Sequence, residues 1–236
     1  MYQKLLSLAF AGLASVSAAN AAQINVDELA NKVEPDVIKW RHHFHEFPEL
    51  SNREFKTAEY VADYLRNLGL EVQTGVAKTG VVAILDSGKP GPVVALRADM
   101  DGLPVKEQND LAYRSTQIGE YNGKEVPVMH ACGHDTHMAM LMGAAKILTE
   151  IKGELKGKVK FIFQPAEEGA PAGEKGGAEV MVAEGVLKNP DVDAIFGLHI
   201  NANTDVGKVR YNAGGTMAAV DPFKIVIHGD GFGVSA

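Results

Sequence analysis

Apolar residues recur at helical spacing in four parts of the chain. Residues 27–47 read as helix, and Pro35 is expected to open a second helical stretch, because proline suits a first turn. Phe55, Ala58, Ala62, Leu65 and Leu68 line one helical face, with Gly69 as the expected stop. Ser51-Asn52-Arg53-Glu54 in front of them has the form of a capping box, whose first and last side chains satisfy free backbone N–H groups. Residues 136–151 make a helix rich in Ala, Met and Leu, stopped by Gly153, and a shorter helix is expected near 178–184. Between the helices lie apolar runs of strand type, at 71–76, 81–85, 93–97, 159–163, 193–198, 207–211 and 223–228. The run at 93–97 has the character of a buried strand, and 106–126 is a long polar stretch. Strands alternating with helices predict an α/β fold, a central sheet with helices on its faces.

Composition narrows the class. The chain has 236 residues, of which 46% are hydrophobic and 22% charged, which are globular proportions. Its net charge of -7, with no basic run, excludes an electrostatic footprint for nucleic acid. One cysteine, Cys132, excludes an internal disulfide framework. At the N-terminus a basic start (Met1 to Lys4) precedes an apolar stretch, Leu5 to Val16, too short for a membrane span. Ala19-Asn20-Ala21 then has the A-x-A cleavage pattern, so residues 1–21 are expected to be a signal peptide and the protein periplasmic or secreted. Cys132 would then meet an oxidising compartment with no partner thiol.

Candidate chemistry gathers in three places: Met129 to Asp135 (MHACGHD), Gln164 to Gly169 (QPAEEG) and Gly197-Leu198-His199. The second and third follow expected strands and the first precedes a helix, each separated from the next by the length of one crossover unit. In open α/β sheets the loops beyond the carboxyl ends of strands form the ligand crevice, so the three can converge. Cys132, His134, Glu168 and His199 make a mixed S/N/O donor set suited to zinc or a similar divalent ion. Cys132 and His134 are two apart, so in an extended loop they point the same way. Of the adjacent Glu167 and Glu168, one can bind metal while the other acts as base on water. Taken singly, each feature also has an ordinary reading: a buried thiol, a solvated pair of glutamates, a hydrogen-bonded histidine.

Other signals are weaker. His42, His43 and His45 read as a surface helix, with a metal-binding pair three residues apart as the alternative. His45-Glu46-Phe47-Pro48-Glu49 is not H-E-x-x-H, since Glu49 replaces the second histidine. Lys78-Thr79-Gly80 lacks the S-x-x-K that would make it a lactamase element. Asp99 and Asp101 either orient metal ligands from behind or are solvated carboxylates in a turn.

With these residues assembled, the sequence resembles the metal-dependent N-acyl-amino-acid amidohydrolases. The branch is that of hippurate hydrolase and the plant auxin-conjugate hydrolases, related to aminoacylase and the co-catalytic zinc carboxypeptidases. The resemblance rests on HEFPELS (His45 to Ser51), LRADMDGLP (Leu96 to Pro104), MHACGHD, FQPAEE (Phe163 to Glu168) and Gly197-Leu198-His199. It implies a mixed central sheet of zinc-exopeptidase type and a site for two divalent ions, manganese or zinc. Cys132, His134, Glu168 and His199 match the family's ligands and Glu167 its general base. The implied partner is a small N-acyl amino acid, with no nucleic acid and no membrane span. The implied organisation is a catalytic-domain portion over 22–216 and the first strand of an inserted α/β lid over 217–236. The family's lid histidine and final ligand find no counterpart before Ala236, and a homodimer is implied only for a complete lid. An inactive shortened relative with weak metal binding, or a dipeptidase or carboxypeptidase, are the alternatives.

Overall fold

The structure, a computed structural model, describes residues 24–217 and residue 225. The expected signal peptide, and all of the strand expected at 223–228 except Ile225, lie outside the described residues. The chain divides into two units, Met1–His199 and Ile200–Ala236.

The first unit holds helices α1 (Val26–Glu46), α2 (Phe55–Asn67), α3 (His134–Glu150) and α4 (Gly177–Ala183). Its strands are β1 (Glu71–Val76), β2 (Gly80–Asp86), β3 (Val93–Asp99), β4 (Ile118–Tyr121), β5 (Lys124–Pro127), β6 (Lys158–Gln164) and β7 (Ala194–Gly197). Five of them form one mixed sheet in the order β1-β2-β6-β3-β7. β3, β6 and β7 run parallel, while β2 pairs antiparallel with β1 and β6. The alternation of side chains along each strand feeds two cores. Val81, Ala83, Leu85, Phe161 and Phe163 face the larger one, built with α1, α2 and α3. Val82, Ala95 and Ile162 face the smaller one, closed by Met181 of α4. The sheet therefore has helices on both faces, as the alternating pattern predicts. Among the described residues, no helix is long and apolar enough to cross a membrane.

Lys160 points into the smaller core from β6 and is 2% exposed. A buried ammonium needs acceptors. Its Nζ donates to the carbonyls of Val186, Lys188 and Pro190 at 2.9, 2.7 and 3.1 Å, which ties the connection before β7 to the sheet.

Four expectations need correction. Pro35 opens no second helix: α1 is continuous through it. Pro35 and Asn31 are both exposed, so the carbonyl that loses its helical partner can turn to water. The capping box does not form: Ser51 donates to Asp101 and Glu54 accepts from Thr79 and Ala166, leaving no side-chain cap on α2. The polar stretch 106–126 contains most of the β4–β5 hairpin, turned at Asn122 (φ 52) and Gly123 (φ 75). Asn-Gly is the standard two-residue hairpin signal. In the second unit, residues 207–211 form no strand, and Val209 and Tyr211 are 75% and 89% exposed. An alternating pattern makes a strand only where a neighbour supplies a ladder.

Candidate metal centre

The parallel strands β3, β6 and β7 end on one side of the sheet, at Asp99, Gln164 and Gly197. Just past those ends the chain carries Asp101, then Glu167 and Glu168, then His199. α3 begins on the same site with His134, and Gly133 before it takes φ 94, a conformation open to glycine without cost. Cys132 and His134 are therefore not neighbours on one extended loop, as the spacing suggested. A left-handed turn separates them, and His134 is the first residue of the helix.

The side chains nevertheless converge. Cys132 Sγ lies 3.4 Å from His199 Nε2. Donor atoms of Cys132, His134 and His199 fall within 4.8 Å of one another, and so do those of His134, Glu167 and Glu168. His134 Nε2 is 3.6 Å from Glu167 Oε2 and 3.7 Å from Glu168 Oε1. All five residues singled out from the sequence thus meet at His134, which is fully buried.

Two residues left open by the sequence stand behind this group. Asp101 Oδ1 faces His134 Nδ1 at 3.3 Å, while its Oδ2 accepts from Ser51 Oγ at 2.6 Å and from Glu168 N at 3.0 Å. Asp99 is bonded to Arg97 at 2.7 Å and to His137 Nδ1 at 2.5 Å. Both aspartates are buried and support the site rather than facing solvent. His137 was not singled out, although it lies one helical turn beyond His134. It completes a third close group with Asp99 and His134.

The electrostatics favour a cation. Burial pulls the His134 imidazolium down, but Asp101, Asp99 and Glu168 outweigh it and the net shift is upward. Burial, and then Glu168 beside it, pushes the Cys132 thiol up to about 12. Burial and the neighbouring Asp99 also raise Glu167. Among the described residues, both ring nitrogens of His134, Asp101 Oδ1 and Glu168 Oε1 are buried without a hydrogen-bond partner. Native interiors seldom leave such atoms unmatched. A thiol, two imidazoles and a carboxylate around a negative field fit a divalent transition ion, whose charge would also deprotonate the thiol.

His45, expected on a surface helix, is instead 4% exposed at the end of α1. Its Nδ1 lies 2.9 Å from Asp135 Oδ2 and its Nε2 2.8 Å from Glu107 Oε1. The bond to Asp135 raises His45 against the pull of burial. Burial is the largest influence on Asp135 and Glu107 and pushes them up, but His45 with His130 and Arg41 for the one, and His45 with Ser115 and Asn109 for the other, together lower both carboxyls. A raised histidine stabilises the fold fully below about pH 6.5 and stops doing so as pH climbs through its folded value. Lowered carboxylates stabilise above about pH 4 and stop as pH falls through theirs. The cost of His45→Gln is therefore expected to be largest between about pH 4 and 6.5 and to shrink at higher pH. Urea midpoints of both proteins across pH measure it, and a pH-independent cost would contradict the charged network.

Residues 95–233 match the family model for peptidase family M20/M25/M40. The chain is 45% identical over 210 residues to thermostable carboxypeptidase 1 of Saccharolobus solfataricus, covering 87% of this chain and 50% of that one. It is 43% identical over 206 residues to the N-acyl-L-amino acid amidohydrolase of Geobacillus stearothermophilus, covering 87% and 52%. A solved Bacillus subtilis structure, named as a dinuclear metal binding peptidase from the M20 family, is 40% identical with a TM-score of 0.64, covering 73% of this chain and 44% of that one. The chain spans about half the length of the curated relatives it matches.

Proposed function

The chain belongs to peptidase family M20/M25/M40, and on that premise we propose that its site serves a metal-dependent amidohydrolase acting on N-acyl amino acids. The observation that carries the reading is the convergence of Cys132, His199, Glu167 and Glu168 on His134. Cys132, His134, Glu168 and His199 would hold the metal; their donor types suit zinc or a similar divalent ion, and the likeness to the dinuclear M20 peptidase supports two ions, manganese or zinc. When bound, such an ion polarises the amide carbonyl and lowers the pKa of water toward ~7.

The protein's own residues do the rest. The Glu167 side chain is 36% exposed, so substrate and water reach it, yet burial and Asp99 raise its proton affinity. It takes a proton from the attacking water as the new C–O bond forms. It then delivers that proton to the amide nitrogen as the C–N bond breaks, releasing a carboxylic acid and a free amino acid. Asp101 holds the Glu168 N–H and faces His134, so ligand and base keep their relation through the step. Residues 1–21 support a site working in the periplasm or outside the cell.

The carboxypeptidase relative favours a second reading, cleavage of a peptide beside its terminal carboxylate, with the same site chemistry. The test is a panel of N-benzoyl and N-acetyl amino acids and free dipeptides, with and without excess chelator. Hydrolysis of the N-acyl compounds should vanish with chelator and return with Mn²⁺ or Zn²⁺. Turnover that survives the chelator would overturn the proposal, and preference for dipeptides would favour the second reading.

A further inference from the structure

Glu54 is fully buried, yet its side chain makes no cap bond to α2 and, among the described residues, it belongs to none of the close groups of metal donors. Filling that volume with a carboxylate is costly unless its oxygens are used. Both are used. Oε2 accepts from Thr79 Oγ1 at 2.6 Å, and Oε1 accepts from the backbone N–H of Ala166 at 2.8 Å. Ala166 directly precedes Glu167 and Glu168, and it has φ 48. A residue with a Cβ stays in that conformation only where its surroundings fix it.

The rest of the loop is held from the same segment. Beyond Glu167, the Glu168 N–H donates to Asp101 at 3.0 Å, and Asp101 accepts from Ser51 at 2.6 Å. At the far end, Asn52 donates to Lys175 O at 3.0 Å, and Arg53 and Lys78 bind Glu174 at 2.5 and 2.8 Å. A Cβ at Gly176 would come within 2.7 Å of Asn52 Oδ1 and 2.9 Å of Ala166 Cβ, so the two ends of the loop close on Asn52. Three of the four residues that resemble a helix cap, Asn52, Arg53 and Glu54, therefore reach the loop bearing the two glutamates directly, and Ser51 reaches it through Asp101.

We propose that Glu54 is a positioning residue: by holding the Ala166 N–H it fixes the turn that aims Glu167 and Glu168 at His134. The proposal rests on the roles given above to those two glutamates.

Two variants separate reach from charge. Glu54→Asp keeps the carboxylate but withdraws it from Ala166. Glu54→Gln keeps the length, its carbonyl still able to accept from Ala166 while its amide donates to a Thr79 hydroxyl turned round. Amide hydrogen exchange over residues 165–169 and Co²⁺ titration, followed by absorption, are read on both variants and the wild type. Glu54→Asp should exchange about tenfold faster in this loop and bind Co²⁺ about tenfold more weakly, the usual scale for loss of a supporting contact. Glu54→Gln should stay within about threefold of wild type in both, since its hydrogen bonds survive. The reverse order, equal damage in both variants, or wild-type exchange in Glu54→Asp would overturn the proposal. Failure of the wild type to bind Co²⁺ would count against the metal reading alone, and the amide exchange would still decide the role of Glu54.

Discussion

Replacing Glu167 with glutamine is expected to lower turnover of an N-acyl amino acid by about 10²–10⁴-fold, the usual worth of a positioned general acid–base. Glutamine keeps the shape of the side chain and can still accept a hydrogen bond, but it cannot take a proton from water. The loss should therefore fall on kcat, with KM and metal content close to wild type. The distinction matters because Glu167 and Glu168 are adjacent and their carboxylates lie 3.6 and 3.7 Å from the same His134 nitrogen. Distance alone does not say which is base and which is ligand. Metal analysis of purified Glu167→Gln beside its kcat does. A variant within tenfold of wild type, or one that has lost its metal, would mean the roles are assigned wrongly.

His134→Ala should have a different signature. His134 belongs to all three close groups of donor side chains among the described residues and has no exposed surface. Its removal is expected to weaken metal binding by more than the about 10–100-fold typical of a supporting residue, and to abolish activity with it. The apo fold should change less. In the absence of metal, the variant relieves a buried imidazole whose ring nitrogens have no hydrogen bond, but it also loses the ion-pair contact with Asp101 at 3.3 Å and leaves a cavity, effects of opposite sign. Dialysis against chelator, metal repletion and elemental analysis would measure the first effect, and thermal melts of the metal-free proteins the second. Retention of wild-type metal content by a folded His134→Ala would remove His134 from the ligand set.

The parts of this molecule legible in sequence were those with a repeating or concentrated signal. Buried strands such as Val93–Asp99 and Lys158–Gln164 announce themselves as apolar runs, and the donor residues cluster directly after them. What escaped were residues whose partners are distant in the chain. Ser51 and Glu54 carry a local signature, and the local reading failed because Asp101, Thr79 and Ala166 offer buried partners that a cap cannot match. His45 looks like one of three polar residues on a helix surface, and only the packing of α3 shows that Asp135 claims it. Asp99 and Asp101 stayed ambiguous because a carboxylate at the end of a strand reads alike in solvent and behind a ligand. The Asn122-Gly123 hairpin is another kind of miss, a short-range signal overlooked inside a polar stretch.

The order of strands also governs when the site can exist. Val81 pairs with Phe163 and Val94 with Ala194, so β2 and β3, two of the three inner strands, wait for neighbours made much later. Closing such long loops costs entropy before any contact rewards it, which makes chains of this topology slow to fold. The helices can flicker into shape early, but residue 166 meets Glu54 only once β6 has docked, and His199 meets Cys132 only once β7 has. The metal centre is thus a late product of folding, and a growing chain has none before His199 is made and β7 has docked.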